Sequence, residues 1–214
     1  MKSDSPKKIL CVGVNYRPHI EEMGREIPEY PVVFTRFASS LVGHDEPVVR
    51  PRVSEQFDFE GELAVVIGKT ARHVPRERAL EYIGGYCCFL DGSVRDWQRH
   101  TMQFTAGKNF EQSGAIVPVV AASEVGDPVD LRLTTRVNGE VMQQGRIADL
   151  VFDIPYLVEY CSTFSRLEAG DVIATGTPGG VGAAGKPPVW LRDGDVIEVE
   201  IPGVGLLRNP VRDE

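Results

Sequence analysis

The stretch Phe57-Asp58-Phe59-Glu60-Gly61-Glu62-Leu63-Ala64-Val65-Val66-Ile67-Gly68 is the most informative in the chain. If it is extended, side chains alternate, so Asp58, Glu60 and Glu62 project from one face while Phe57, Phe59, Leu63 and Val65 project from the other. From Leu63 to Gly68 the run is unbroken and apolar, the pattern of a buried strand. Carboxylates sharing one strand face repel each other. They stand either on a solvated face or against a cation that neutralises them, and acids leading straight into a core strand need a partner.

To either side of this stretch, the runs Ile9–Val14, Val32–Phe37, Gly85–Leu90, Leu131–Val137, Val172–Thr175 and Val196–Ile201 are rich in β-branched or aromatic residues and bounded by Gly, Pro, Asp or Asn, which predicts strands. Asn138-Gly139, between Leu131–Val137 and Glu140–Gln144, is a two-residue hairpin signal. Helical periodicity is scarcer. It is clearest from Asp153 to Phe164, where Ile154, Leu157, Val158, Cys161 and Phe164 recur every three or four residues behind a capping-type Asp. Arg76–Tyr82 and Val94–Gln103 are shorter candidates. Many strands, few helices and no βαβ alternation predict an α+β, mainly β fold rather than a doubly wound sheet.

The 214 residues carry 23 Lys+Arg against 31 Asp+Glu, a formal charge of −8 that disfavours a nucleic-acid backbone as partner. No apolar run approaches the length of a spanning helix, and no signal-peptide h-region follows Met1, so the expectation is no membrane partner and a cytoplasmic location. Residues 1–8 read as a flexible N-terminal segment and 9–214 as one domain. Cys11, Cys87, Cys88 and Cys161 sit in apolar stretches and read as buried free thiols.

Several side chains outside residues 57–68 have chemical potential. Asp91 ends the buried run Gly84–Leu90, and with Glu60 and Glu62 it would make an all-oxygen ligand set suited to Mg²⁺, Mn²⁺ or Ca²⁺. A turn-forming role is the alternative for Asp91. His19 and Glu22 are three apart, so on a helix they meet either as a surface pair or as a carboxylate-oriented general base. Lys108 is a solvated lysine or a cation for an anionic substrate. The glycine-rich Thr175–Gly182 segment offers backbone amides and two hydroxyls to an anion without matching a nucleotide-binding loop.

Together, the blocks GVNYRPHIEEMG, DFEGELAVVIG, GGYCCFLDGSVRDWQ, AGKNF, VNGEVMQQG and ATGTPGGVG resemble the fumarylacetoacetate hydrolase family, from about Leu10 to Val211 and in the family's order. The resemblance implies a mixed β-sandwich roll, a homodimer and a divalent cation. It implies Glu60, Glu62 and Asp91 as metal ligands, His19 and Glu22 as the water-activating pair, and Lys108 as the substrate lysine. Arg95, Gln98 and Thr177 match positions that contact substrate or line its pocket. The chain lacks the N-terminal domain of the enzymes that name the family, so it looks more like the compact acylpyruvate-type members. Arg17 stands where several compact relatives have a small residue and Arg36 where many have lysine. An extra guanidinium favours a substrate with a second carboxylate. The implied activity is metal-dependent hydrolysis of a β-diketo acid such as fumarylpyruvate. Decarboxylation or isomerisation of a small anionic 2-oxo acid, of the oxaloacetate or hydroxymuconate type, is the alternative, and a non-catalytic metal-binding role stands behind both. The loop 24–31 reads either as a lid or as a plain surface connection.

Overall fold

The apolar run after Glu62 forms the middle of the larger of two mixed sheets. The computed structural model describes residues 6–22, 24 and 26–214. Strand Gly61–Ile67 lies between Val172–Ala174 and Ile83–Leu90, antiparallel to both, and Ile9–Gly13 runs parallel to Val172–Ala174. Val32–Arg36 closes one edge, Gly114–Ile116 and Leu41–Val42 extend the other, and Val120–Ala121 adds a short branch on Ile83–Leu90. The second sheet orders Glu140–Arg146, Arg132–Val137, Val196–Ile201, Gly205–Asp213 and Val48–Arg50. The two sheets pack face to face through their central strands. Leu63, Leu133, Val199 and Leu207 are all buried between them. Each such side chain contributes roughly 1.5–3 kcal/mol on leaving water. This is the mainly β, mixed sandwich roll expected from the sequence.

Local signals account for most element ends. Asn138 and Gly139 both have positive φ (52° and 82°), the backbone that a tight hairpin turn requires. Helix Ile154–Phe164 begins at Asp153, whose carboxylate accepts from Tyr156 N–H at 2.9 Å, with Pro155 in the first turn. Arg76–Tyr82 is a 3₁₀ rather than an α-helix, and only Arg95–Gln98 of the longer candidate 94–103 is α-helical. The four cysteines are free and buried. Among the described residues, no helix is long and apolar enough to cross a membrane.

The stretch 57–68 departs from a single strand. It breaks after Asp58, so that Phe57–Asp58 pairs with Ser93–Val94 while Gly61–Ile67 enters the large sheet. At the break, Asp58 accepts from its neighbour Phe59 N–H and from Gly182 and Ala183 N–H, and it shares the Arg95 guanidinium with Glu60. Of the segment 1–8 expected to be flexible, residues 1–5 lie outside the described residues. Lys8 is fastened, its backbone and ammonium both donating to buried Asp171. Arg25 of the loop 24–31 also lies outside the described residues. Within that loop, Tyr30 stacks on Tyr160 with ring centroids 6.4 Å apart.

Candidate metal centre

Strand ends deliver the acids. Glu60 and Glu62 flank Gly61 at the start of its strand, and Asp91 follows the adjacent strand Ile83–Leu90. Asp91 N–H donates to Glu60 O at 2.9 Å, which locks the two strand termini together. One carboxylate oxygen from each of the three acids lies within 4.8 Å of the others, and all three residues are buried. That spread matches roughly twice a metal–oxygen distance of about 2.0–2.6 Å, the span across the coordination sphere of a hard cation.

Three cations are buried with them. Lys108 Nζ stands 2.6 Å from both Glu60 Oε2 and Asp91 Oδ2. Arg95 reaches Asp58 Oδ2 and Glu60 Oε1, each at 2.7 Å, and donates to Gln98 Oε1 at 2.9 Å. Arg36 donates to Asp91 Oδ1 at 2.5 Å from behind. Four buried carboxylates, Asp58, Glu60, Glu62 and Asp91, thus face three buried cations, leaving one negative charge uncompensated.

That charge falls on Glu62. Among the described residues its one hydrogen-bond donor is Gly176 N–H at 2.8 Å, and no cation pairs with it. Burial and then the neighbouring Asp91 and Glu60 carboxylates push its carboxyl well above the usual range. Glu60 goes the other way: burial alone would raise it, but the Lys108 and Arg95 charges outweigh that and hold it well below the usual range. The Lys108 ammonium is likewise favoured, because Asp91 and Glu60 more than offset its burial. A cluster of three hard oxygen donors with one carboxylate lacking a cationic partner fits a divalent cation, and Glu60, Glu62 and Asp91 are the residues that would hold it.

A pocket of about 310 Å³ opens onto this cluster. Its polar wall includes Glu60, Glu62, Arg95, Gln98, Lys108 and His19, and its apolar wall includes Val12, Val14, Phe34, Phe104 and Val181. His19 lies on the short helix Arg17–Glu22 and is buried, its Nδ1 3.2 Å from Glu22 Oε2. Gly180 N–H holds both oxygens of Glu22 at 3.2 Å. The His–Glu pair is therefore an oriented one on the pocket wall rather than a chance surface contact.

Two sequence expectations change, those for Arg36 and Arg17. Arg36 does not reach the pocket: its five N–H groups are taken by Asp91, Gly92 O, Ser113 Oγ and both oxygens of Ser40, because a buried guanidinium must satisfy every donor. Arg17 is exposed and lines nothing in the pocket. Lys108 lines the pocket, its ammonium lying between Glu60 and Asp91. Thr177 lines the pocket, and its hydroxyl donates to Gly61 O (2.9 Å) and accepts from Gln143 Nε2 (2.8 Å).

The glycine-rich segment also changes meaning. Its amides hold the protein's own acids: Gly176 binds Glu62, Gly180 binds Glu22, and Gly182 binds Asp58 at 2.7 Å. Sequence reasoning missed Gln143, which no local signal separates from the rest of its hairpin, and Arg99. Arg99 lines the pocket mouth and, among the described residues, has no acidic partner. Its position one residue past the Arg95–Gln98 helix was the available clue.

The cleft thus combines three hard oxygen donors at its base with a His–Glu pair on its wall and guanidinium groups beside them. The chain belongs to the fumarylacetoacetate hydrolase family: the fumarylacetoacetate (FAA) hydrolase C-terminal region matches residues 8–212. Oxaloacetate tautomerase YisK of Bacillus subtilis (strain 168) is 44% identical over 209 residues, covering 96% of this chain and 69% of that protein. The crystal structure of a 5-carboxymethyl-2-hydroxymuconate delta-isomerase from Mycobacterium smegmatis is 39% identical with a TM-score of 0.87, covering 98% of this chain and 80% of its own. Fumarylpyruvate hydrolase from Pseudomonas aeruginosa, solved with Mn²⁺ and pyruvate, is 32% identical with a TM-score of 0.89, covering 98% and 91%. Relatives of this chain are thus enzymes of three reaction types on one fold.

Proposed function

We propose that the chain is a divalent-metal-dependent enzyme that interconverts the keto and enol forms of a short 2-oxo dicarboxylic acid of the oxaloacetate type. The observation that carries this reading is the oriented His19–Glu22 pair on the same small pocket as the Glu60, Glu62 and Asp91 cluster. With Glu22 accepting from Nδ1–H, Nε2 of His19 bears the lone pair that removes a proton from the carbon beside the keto group and returns it. Held by the three carboxylates, Mg²⁺ or Mn²⁺ would supply Lewis-acid polarisation of the keto oxygen. Gln98 keeps its amide N–H groups for the substrate, since its Oε1 already accepts from Arg95. Arg95 has two uncommitted N–H groups, and Arg99 offers an unpaired charge at the mouth to a second carboxylate. The 44% identity to an oxaloacetate tautomerase supports this reading.

Hydrolysis of an acylpyruvate is the second reading. It is favoured by the same His–Glu pair acting on water and by the likeness to fumarylpyruvate hydrolase. The two separate in one experiment. Purified protein with Mn²⁺ is given enol-oxaloacetate, with loss of enol absorbance compared against the metal-only rate, and in parallel fumarylpyruvate, with pyruvate release measured. Acceleration of the first without the second supports tautomerisation, the reverse supports hydrolysis, and neither refutes both.

A further inference from the structure

Between Glu60 and Glu62 the Gly61 peptide carries a closed ring of hydrogen bonds. Gly61 N–H donates to Gln143 Oε1 at 3.0 Å, Gln143 Nε2 donates to Thr177 Oγ1 at 2.8 Å, and the Thr177 hydroxyl donates back to Gly61 O at 2.9 Å. All three residues are buried. Gln143 also donates to Pro178 O at 3.0 Å, so both of its amide heteroatoms are engaged and its orientation is fixed. The donor sequence runs one way round the ring. A residue that can only accept or only donate cannot take the place of either Gln143 or Thr177.

The ring joins three parts of the fold. Gln143 comes from the outer strand of the smaller sheet, Thr177 from the glycine-rich segment, and Gly61 from the central strand of the larger sheet. Gly61 is also pressed against the smaller sheet: a Cβ there would stand 2.1 Å from Thr135 Oγ1, which leaves no room for any other residue. One peptide earlier in the glycine-rich segment, Gly176 N–H holds Glu62. The ring therefore fixes the rotation of the peptide linking two candidate ligands.

Resting on the metal-centre reading above, we infer that Gln143 and Thr177 are positioning residues that fix the angle between the Glu60 and Glu62 carboxylates for a divalent cation. They act through the Gly61 peptide without touching the ion. Groups one bond removed from ligands typically change metal affinity by about 10–100-fold when lost.

The test is calorimetric titration of the full chain with Mn²⁺ alone, after chelator removal, with each variant's fold checked by circular dichroism. Gln143→Leu and Thr177→Val break the ring and are expected to weaken Mn²⁺ binding at least about tenfold. Thr177→Ser restores the hydroxyl and is expected to bind within about twofold of wild type, the variation expected without loss of a supporting bond. Val158→Ala, a core truncation in helix Ile154–Phe164, controls for lost stability and should also leave affinity unchanged. Wild-type affinity in Gln143→Leu or Thr177→Val, or an equal loss in Val158→Ala, overturns the ring's role while leaving the metal centre standing. If Gln143→Leu does not fold, the Thr177 pair decides. Absence of Mn²⁺ binding by the wild-type chain overturns the metal centre and the ring together.

Discussion

Arg36 offers the sharpest test of how the site is held. Its guanidinium and the Asp91 carboxylate are both fully buried, 2.5 Å apart, and each of the five guanidinium N–H groups has an acceptor. Replacing it with Met removes the charge at similar volume. Asp91 then keeps Lys108 but loses its second cation, while Ser113, Gly92 and Ser40 lose a donor. Removing one partner of a buried ion pair costs about 3–5 kcal/mol, because the other charge stays behind uncompensated. For a domain of this size each kcal/mol lowers the melting temperature by about 2–4 °C, so Arg36→Met should melt roughly 6–20 °C below wild type in EDTA. Arg36→Lys keeps the charge with fewer donors and should lose about 1–3 kcal/mol, the cost of unsatisfied buried acceptors. Mn²⁺ at about a hundred times its Kd should return about 2.7 kcal/mol to a variant that still binds it. Chemical denaturation in EDTA and in Mn²⁺ measures both effects. A loss below about 1 kcal/mol in Arg36→Met, the range of a solvated pair, would refute the claim that Arg36 is committed to Asp91 in a dry environment.

Other consequences are equally direct. His19→Ala should abolish turnover of either substrate while leaving Mn²⁺ affinity within about twofold, since the imidazole is a proton carrier and not a ligand; calorimetry beside the activity assay checks both. Glu62→Gln should lose Mn²⁺ affinity at least about tenfold yet cost no stability in EDTA, because it removes a charge that no cation balances; a melting temperature below wild type in EDTA contradicts this. Gly182→Ala would place a Cβ 1.9 Å from Val189 O and 2.6 Å from Asp58 Oδ1. It should therefore loosen the Asp58–Arg95 pair and reduce kcat, and full activity would show that Asp58 does not need that amide. Arg99→Met should raise KM for a dicarboxylic 2-oxo acid about tenfold, with little effect on a monocarboxylic one; equal effects on both would remove Arg99 from substrate recognition.

The acidic cluster was legible because its members sit where buried strands begin or end, and a carboxylate at the mouth of a core strand has few structural uses. Glu60, Glu62 and Asp91 could be placed together from that pattern and the family resemblance. The His19–Glu22 pair was legible from helical spacing. Arg36 was not: its strand alternates normally, and its partners Asp91 and Ser113 lie 55 and 77 residues away. Asp58, which two-residue periodicity assigns to the same face as Glu60, shares Arg95 with it but is not one of the three clustered acids. Its carboxylate is held by the amides of Phe59, Gly182 and Ala183, and two of these come from more than 120 residues along the chain. Periodicity reports which face a side chain starts on, and long-range polar satisfaction decides where it ends.

The glycine-rich segment bears directly on specificity. A run of exposed amides after a strand reads as an anion cradle. Here the amides of Gly176, Gly180 and Gly182 are occupied by Glu62, Glu22 and Asp58, so they cannot also receive a substrate carboxylate. Recognition of the anion must then fall to side chains, and those facing the pocket with free donors come from one short stretch, Arg95, Gln98 and Arg99. The backbone segment fixes Glu62, Glu22 and Asp58, while the stretch 95–99 is the part proposed to meet the substrate. Substitutions in the first should therefore lower kcat and metal affinity together. Those at Gln98 and Arg99 should move KM between substrates and leave the metal centre intact.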